Sequence, residues 1–182
     1  MKWTIPGTVL QIQRDHADGV EEMFSSMFLA GGMVLSQVAN ITGLEPYTVQ
    51  NWVKRGFLSP PQNKRYTIQQ LCRILHINML KDVMTLDRIC SLLRYINGKL
   101  DEEGDDIIDD ATLYFLFVRL AARSKQLDDP AAWKQAMEEA LRDYREPVPG
   151  ARERIENALR IMLIGNVASK MAQTAERMLD EL

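Results

Sequence analysis

Apolar positions in this chain recur mainly at three- and four-residue spacing, the period of helices packed along one face. Val20, Met23, Phe24, Met27 and Phe28 mark the first such face, with Asp18 placed to cap it and Gly31-Gly32 to end it. Two short helices follow. Ser36 can cap one that carries Val38, Ala39 and Ile41 and stops at Gly43; Pro46 suits the first turn of the next, and Gly56 its exit. Residues 57–67, FLSPPQNKRYT, are turn-rich, and their ends can pair as a short hairpin. A helix with Ile68, Leu71, Ile74, Leu75 and Leu80 inward comes next. Thr85 can cap another, whose face is Leu86, Ile89, Cys90, Leu93 and Ile96 and whose stop is Asn97-Gly98.

The acidic run 100–110 reads as a linker, its last aspartates favouring the N-terminus of a helix beyond it. Asp129-Pro130 opens another helix, PVPG at 147–150 closes it, and the proline-free stretch 151–182 reads as one long helix. Along that helix Ile161, Ile164, Ala168, Met171, Ala175, Met178 and Leu182 alternate spacings of three and four. Such a seam serves a coiled coil or packs on its own domain, and the pattern alone weighs the two equally. Residues 1–17 show no period; Pro6-Gly7 marks a turn and the rest reads as an arm. The expected organisation is an arm and helix (1–34), a head (35–99), the linker, and a helical bundle (111–182). It is mainly α, with one minimal β-hairpin near residue 60.

A hydrophobic content of 46% against 26% charged residues excludes a disordered chain, and no apolar run is long enough to cross a bilayer. The polar and acidic start through Asp15, Asp18, Glu21 and Glu22 does not resemble a signal peptide, so the expected location is cytoplasmic. Cys72 and Cys90 are then expected as free thiols. The net charge of −3 is unevenly spread. Between Ser36 and Lys81 stand Lys54, Arg55, Lys64, Arg65, Arg73 and Lys81 against Glu45 alone, a net +5 that leaves the remainder at −8. A basic segment on an acidic body suits a polyanion binder with a separate surface for something else.

Two short helices broken by glycine, a basic turn-rich stretch and another helix form the order of a winged helix-turn-helix. If Val49, Trp52 and Val53 face the core, then Tyr47, Gln50, Asn51 and Lys54 share the opposite side of the second helix. Amides pair bidentately with adenine edges, and an ammonium reaches guanine or phosphate. Periodicity by itself favours a plain solvated face.

The segment LSQVANITGLEPYTVQNWVKRGFLSPP (35–61) resembles the opening of MerR-type regulators, supplying Gly43, Leu44, Glu45, Pro46, Thr48, Val49, Trp52, Lys54, Gly56, Phe57, Leu58 and Pro60 in register. KRYT (64–67) is similar to that family's step out of the wing, and TLDRICSLL (85–93) to the helix after it. The whole chain resembles an uncharacterised bacterial family of unknown function with a MerR-like head on a helical tail. The resemblance implies a dimeric, sequence-specific DNA-binding transcriptional regulator. Its partners would be duplex DNA and a second copy joined through the C-terminal helices. Tyr47, Gln50, Asn51 and Lys54 would meet the major groove; Arg55, Lys64, Arg65 and Tyr66 would hold phosphates. Departures are specific: Gln50 stands where the family usually has a phosphate-gripping arginine, Asn51 replaces a common aromatic, and the wing is several residues short. They leave open an alternative, a protein-interaction module built on the same fold.

Cys72 and His76 have metal-compatible spacing on a helix, but a core position is the simpler account of both. The acidic run lacks the alternating ligands of a calcium loop. With no phosphate-binding glycine loop, no serine elbow, and no motif around His16 or His76, the expectation is a protein with no enzyme activity, cofactor or metal.

Overall fold

The computed structural model describes residues 2–97, 107–123 and 130–182. Linker residues 100–106, Gly98 of the expected Asn97-Gly98 stop and Asp129 of the Asp129-Pro130 start lie outside the described residues. Among the described residues the fold is mainly helical, with one two-stranded antiparallel sheet.

That sheet lies where the pattern reads as an arm. Strands β1 (Lys2–Thr4) and β2 (Gln11–Gln13) pair Trp3 with Ile12, and each is too short for alternation to register. Tertiary contacts hold the hairpin instead. Gly7 turns at φ +74°, and a Cβ there would lie 2.5 Å from the Leu75 carbonyl oxygen, so only glycine lets the loop rest on the helix beneath. Asn78 Nδ2 donates to both the Gly7 and Thr42 carbonyls at 2.9 Å, and the buried Tyr114 hydroxyl donates to the Pro6 carbonyl at 2.7 Å.

A 3-10 helix (Arg14–Gly19) leads into α1 (Val20–Met27), so Asp18 does not cap α1. Its carboxylate pairs with Arg123 at 3.1 Å instead. Helix α2 (Leu35–Thr42) starts two residues earlier than a Ser36 cap requires: the Val34 N–H donates to Gln37 Oε1 at 3.0 Å. Gly43, at φ +71°, ends it, and Pro46 occupies the first turn of α3 (Pro46–Lys54). Then come α4 (Ile68–Leu80), α5 (Leu86–Asn97), α6 (Asp110–Arg123), α7 (Pro130–Ala140) and α8 (Ala151–Asp180).

Helix α4 is the axis of the molecule. Its pattern predicts one inward face, yet Leu71, Cys72, Ile74, Leu75, His76, Ile77 and Leu80 are all fully buried. Helices α6 and α8 cover the sides that α2 and α5 leave open. Each fully buried aliphatic side chain here contributes roughly 1.5–3 kcal/mol. One hydrophobic core therefore runs from Ile5 through Val49 and Trp52 to Leu163.

Candidate nucleic-acid interface

Helix α3 is fixed by its inner face. Val49 and Trp52 are buried, and the C-terminal exit is tied by the Phe57 N–H donating to the Trp52 carbonyl at 2.9 Å. The helical period then turns Tyr47, Gln50, Asn51 and Lys54 outward, and all four are exposed. Tyr47 is the extreme case, 69% accessible, a large aromatic with no core role. The face offers one phenol, two amides and one ammonium; Glu45, just before the helix, is the acid nearest in sequence.

The turn after α3 is compact. Gln62 and Arg65 form a single antiparallel pair across Asn63 (φ +49°) and Lys64 (φ +63°), two left-handed residues in succession as a two-residue hairpin loop demands. The expected hairpin near residue 60 is thus reduced to one pair. Its exit pairs with Met33, two residues before α2: Met33 and Tyr66 exchange backbone hydrogen bonds at 3.0 and 2.7 Å. Gly32 makes this approach possible, since at φ +97° its Cβ would sit 2.9 Å from the Tyr66 carbonyl oxygen.

Two of the expected phosphate-binding cations are already positioned. The Arg55 guanidinium stacks 4.6 Å from the Phe57 ring centroid, and Arg65 Nη1 donates to the Gly32 carbonyl at 2.9 Å. Lys64 is exposed at the tip of the turn. Tyr66 is a correction. It is only 2% accessible, and burial raises its phenol above the ordinary range, so it packs beneath the turn and presents no group to a ligand. Arg65 and Tyr66 lie on opposite sides of the backbone here, so the arginine stays exposed while the ring turns inward.

Sequence reasoning missed what holds the turn in place. Thr67 and Gln70 form a reciprocal cap on α4: the Gln70 N–H donates to Thr67 Oγ1 at 3.2 Å, and the Thr67 N–H donates to Gln70 Oε1 at 2.9 Å. Gln70 Nε2 also donates to the carbonyls of Ser59 and Pro60 at 3.0 Å. The Thr-x-x-Gln spacing carries this signal in the sequence.

Arg73, counted above among the basic residues, is not on the surface. It pairs with Asp110 at 3.2 Å, and its Nε donates to the Phe57 carbonyl at 3.3 Å. Burial pushes the Asp110 carboxyl up, but His76, whose Nδ1 is 3.8 Å away, and the Arg73 charge outweigh it and hold the group below the usual range. Cys72 and His76 are fully buried core residues, as the simpler account of their spacing holds. Burial pushes the Cys72 thiol well up, with the carboxylates of Asp110, Asp109 and Glu21 adding to it. The cations left around α3 and its turn are Lys54, Arg55, Lys64 and Arg65, on one contiguous stretch of chain.

These features define a mainly helical protein with a cationic helix-and-turn surface. Residues 23–117 match the family described as a domain of unknown function, DUF1836, and the chain belongs to that family. The match begins within α1, takes in α2 to α5 and ends in α6. The chain is also similar to the uncharacterized protein YkrK of Bacillus subtilis (strain 168). The two are 27% identical over 84 residues, which is 44% of this chain and 36% of that protein. The matched region thus spans about a third of the relative's length. No solved structure matches the chain.

Proposed function

We propose that α2, α3 and the following turn act as a winged helix-turn-helix of the MerR type, and that the chain is a DNA-binding transcriptional regulator. Helix α3 enters the major groove, where Gln50 and Asn51 read base edges and Tyr47 and Lys54 flank them. Arg55, Lys64 and Arg65 hold phosphates on either side. The observation that carries this reading is the outer face of α3. Its four exposed groups all suit base or phosphate contact, and they lead directly to two arginines already held in place.

The test is enrichment of sheared genomic DNA by the full chain at moderate salt, against a Tyr47→Ala/Lys54→Ala/Arg65→Ala variant. Enrichment of a few sites that disappears in the variant supports the reading. A folded wild type that enriches nothing refutes it.

A second reading, docking of a protein on the same surface, is favoured by the exposed ring of Tyr47 and by the net charge of −3. Salt separates the two. DNA affinity falls steeply between low and moderate salt through counterion release, whereas apolar docking does not.

A further inference from the structure

The chain between α1 and α2 leaves apolar groups in water. Met27, Phe28, Leu29 and Ala30 follow one another; Phe28 packs against the core, and the other three are exposed. Leu29 is 86% accessible, more than any other large apolar side chain of the described residues except the terminal Leu182. A solitary exposed leucine is ordinary, whereas an unbroken apolar run at a surface calls for a contact.

Backbone hydrogen bonds fix this loop. The Phe28 and Leu29 N–H groups donate to the Ser25 and Ser26 carbonyls at 3.1 and 3.4 Å, and the Gly31 N–H donates to the Phe28 carbonyl at 3.0 Å. Its far end lies against the turn after α3. The Gly32 carbonyl accepts from Arg65 Nη1 at 2.9 Å, a Cβ on Gly32 would lie 3.2 Å from Arg65 Cβ, and Met33 pairs with Tyr66. Loop and turn therefore make one edge with two lobes, Lys64 and Arg65 on the first and Met27 and Leu29 on the second.

We propose that the apolar lobe is a further DNA contact, in which Leu29 lies against the sugar edges of the minor groove beside the phosphates held by Lys64 and Arg65. The inference rests on the DNA-binding reading above and extends it to a residue outside α3 and its turn. Continuity argues for this occupant: Arg65 is latched to the base of the lobe, so a strand gripped by that guanidinium runs past Leu29. Charge agrees, because from Met23 to Val53 the chain carries no acid except Glu45, and nothing on the lobe repels phosphate. The turn itself is reduced to the Gln62–Arg65 pair, and the lobe beside it widens the edge that meets the duplex. Leucine and methionine are among the side chains that proteins press into the minor groove.

The probe is the set of genomic DNA fragments that the full wild-type chain enriches. On these, Leu29→Ser should bind about tenfold more weakly, the loss expected for one leucine contact. Its Tm should not change, because the side chain is exposed in the free protein. Leu29→Met should keep most of the affinity. The salt slope of Leu29→Ser should match the wild type, since leucine releases no counter-ion, whereas Lys64→Ala should lower the slope by about one. Position is read directly: Leu29→Cys carrying an iron–EDTA label should cut the fragments beside the footprint, with breaks on the two strands staggered as across a minor groove. The native Cys72 and Cys90 are buried and take no label. Leu29→Ser binding as tightly as the wild type overturns the proposal and leaves the α3 reading standing. DNA left uncut by the labelled chain also overturns it and gives the lobe to a protein partner. A wild type that enriches no DNA overturns both readings together.

Discussion

Arg73 of α4 and Asp110 of α6 form a buried ion pair at 3.2 Å, with side chains 7% and 15% accessible. Through the Arg73 Nε bond to the Phe57 carbonyl, the pair connects the exit of α3 to the first turn of α6. A carboxylate at that turn also meets the positive end of the α6 dipole. The surface around α3 is therefore anchored to a helix outside it by one charged contact.

Replacing Asp110 by Asn would leave the Arg73 guanidinium buried without its counter-ion. Loss of one partner of such a pair costs about 3–5 kcal/mol. Denaturant unfolding should show a drop of that order. A change below about 1 kcal/mol would mean that water reaches Arg73 and that the pair is not a structural anchor.

The same pair sets an acid limit. Burial works to raise the Asp110 carboxyl, but His76 and Arg73 bring its native pKa below the ordinary value. Asp109 is also lowered: hydrogen bonds from the Thr112 hydroxyl and from backbone N–H groups at the start of α6 overcome its burial. The unfolded chain thus takes up these protons first. Their stabilisation is complete above the unfolded value of about 3.9 and is lost as pH falls through the depressed native values. Thermal melts from pH 7 down should hold level and then decline in the acid range, with a shallower decline in Asp110→Asn. An identical acid slope in that variant would assign the limit to other carboxylates.

Gly32→Ala places a Cβ 2.9 Å from the Tyr66 carbonyl oxygen at φ +97°. Backbone strain of this kind costs about 1–3 kcal/mol. The expected result is a lower Tm together with faster amide exchange at Met33 and Tyr66, whose mutual hydrogen bonds must open. Gly31, also left-handed but with nothing near its Cβ, should tolerate alanine better.

The two tyrosines of the candidate interface should separate cleanly. Tyr47→Ala removes an exposed ring and should change stability by no more than about 0.5 kcal/mol while weakening ligand binding. Tyr66→Ala empties a buried site and should cost about 3–5 kcal/mol. Unfolding curves and binding isotherms of both variants check this. A destabilised Tyr47→Ala would place that ring in the fold and remove it from the surface.

Much of the helical frame was legible because it rests on local rules. The stop at Gly43, the start at Pro46 and the long proline-free α8 follow from backbone preferences that act within a few residues. The outward face of α3 followed from the inward one, since Val49 and Trp52 fix the phase of the helix. Tyr66 was misread because its role depends on Met33, 33 residues away in the chain, which pairs with it and closes over the turn. The N-terminal hairpin escaped notice for the same reason: its three-residue strands carry no period of their own, and Leu75, Asn78 and Tyr114 hold it.

The sequence by itself determined that these helices form and which side of most of them is apolar, because those properties are set by neighbours three and four residues apart. Only the tertiary structure decided which apolar faces find partners within the protomer. It buried α4 on nearly every side, drew Arg73 off the basic surface by giving it Asp110, and left the α8 seam open to water. The physical reason is that burial and charge pairing depend on what packs across a gap, and spacing along one helix carries no record of the element on the other side.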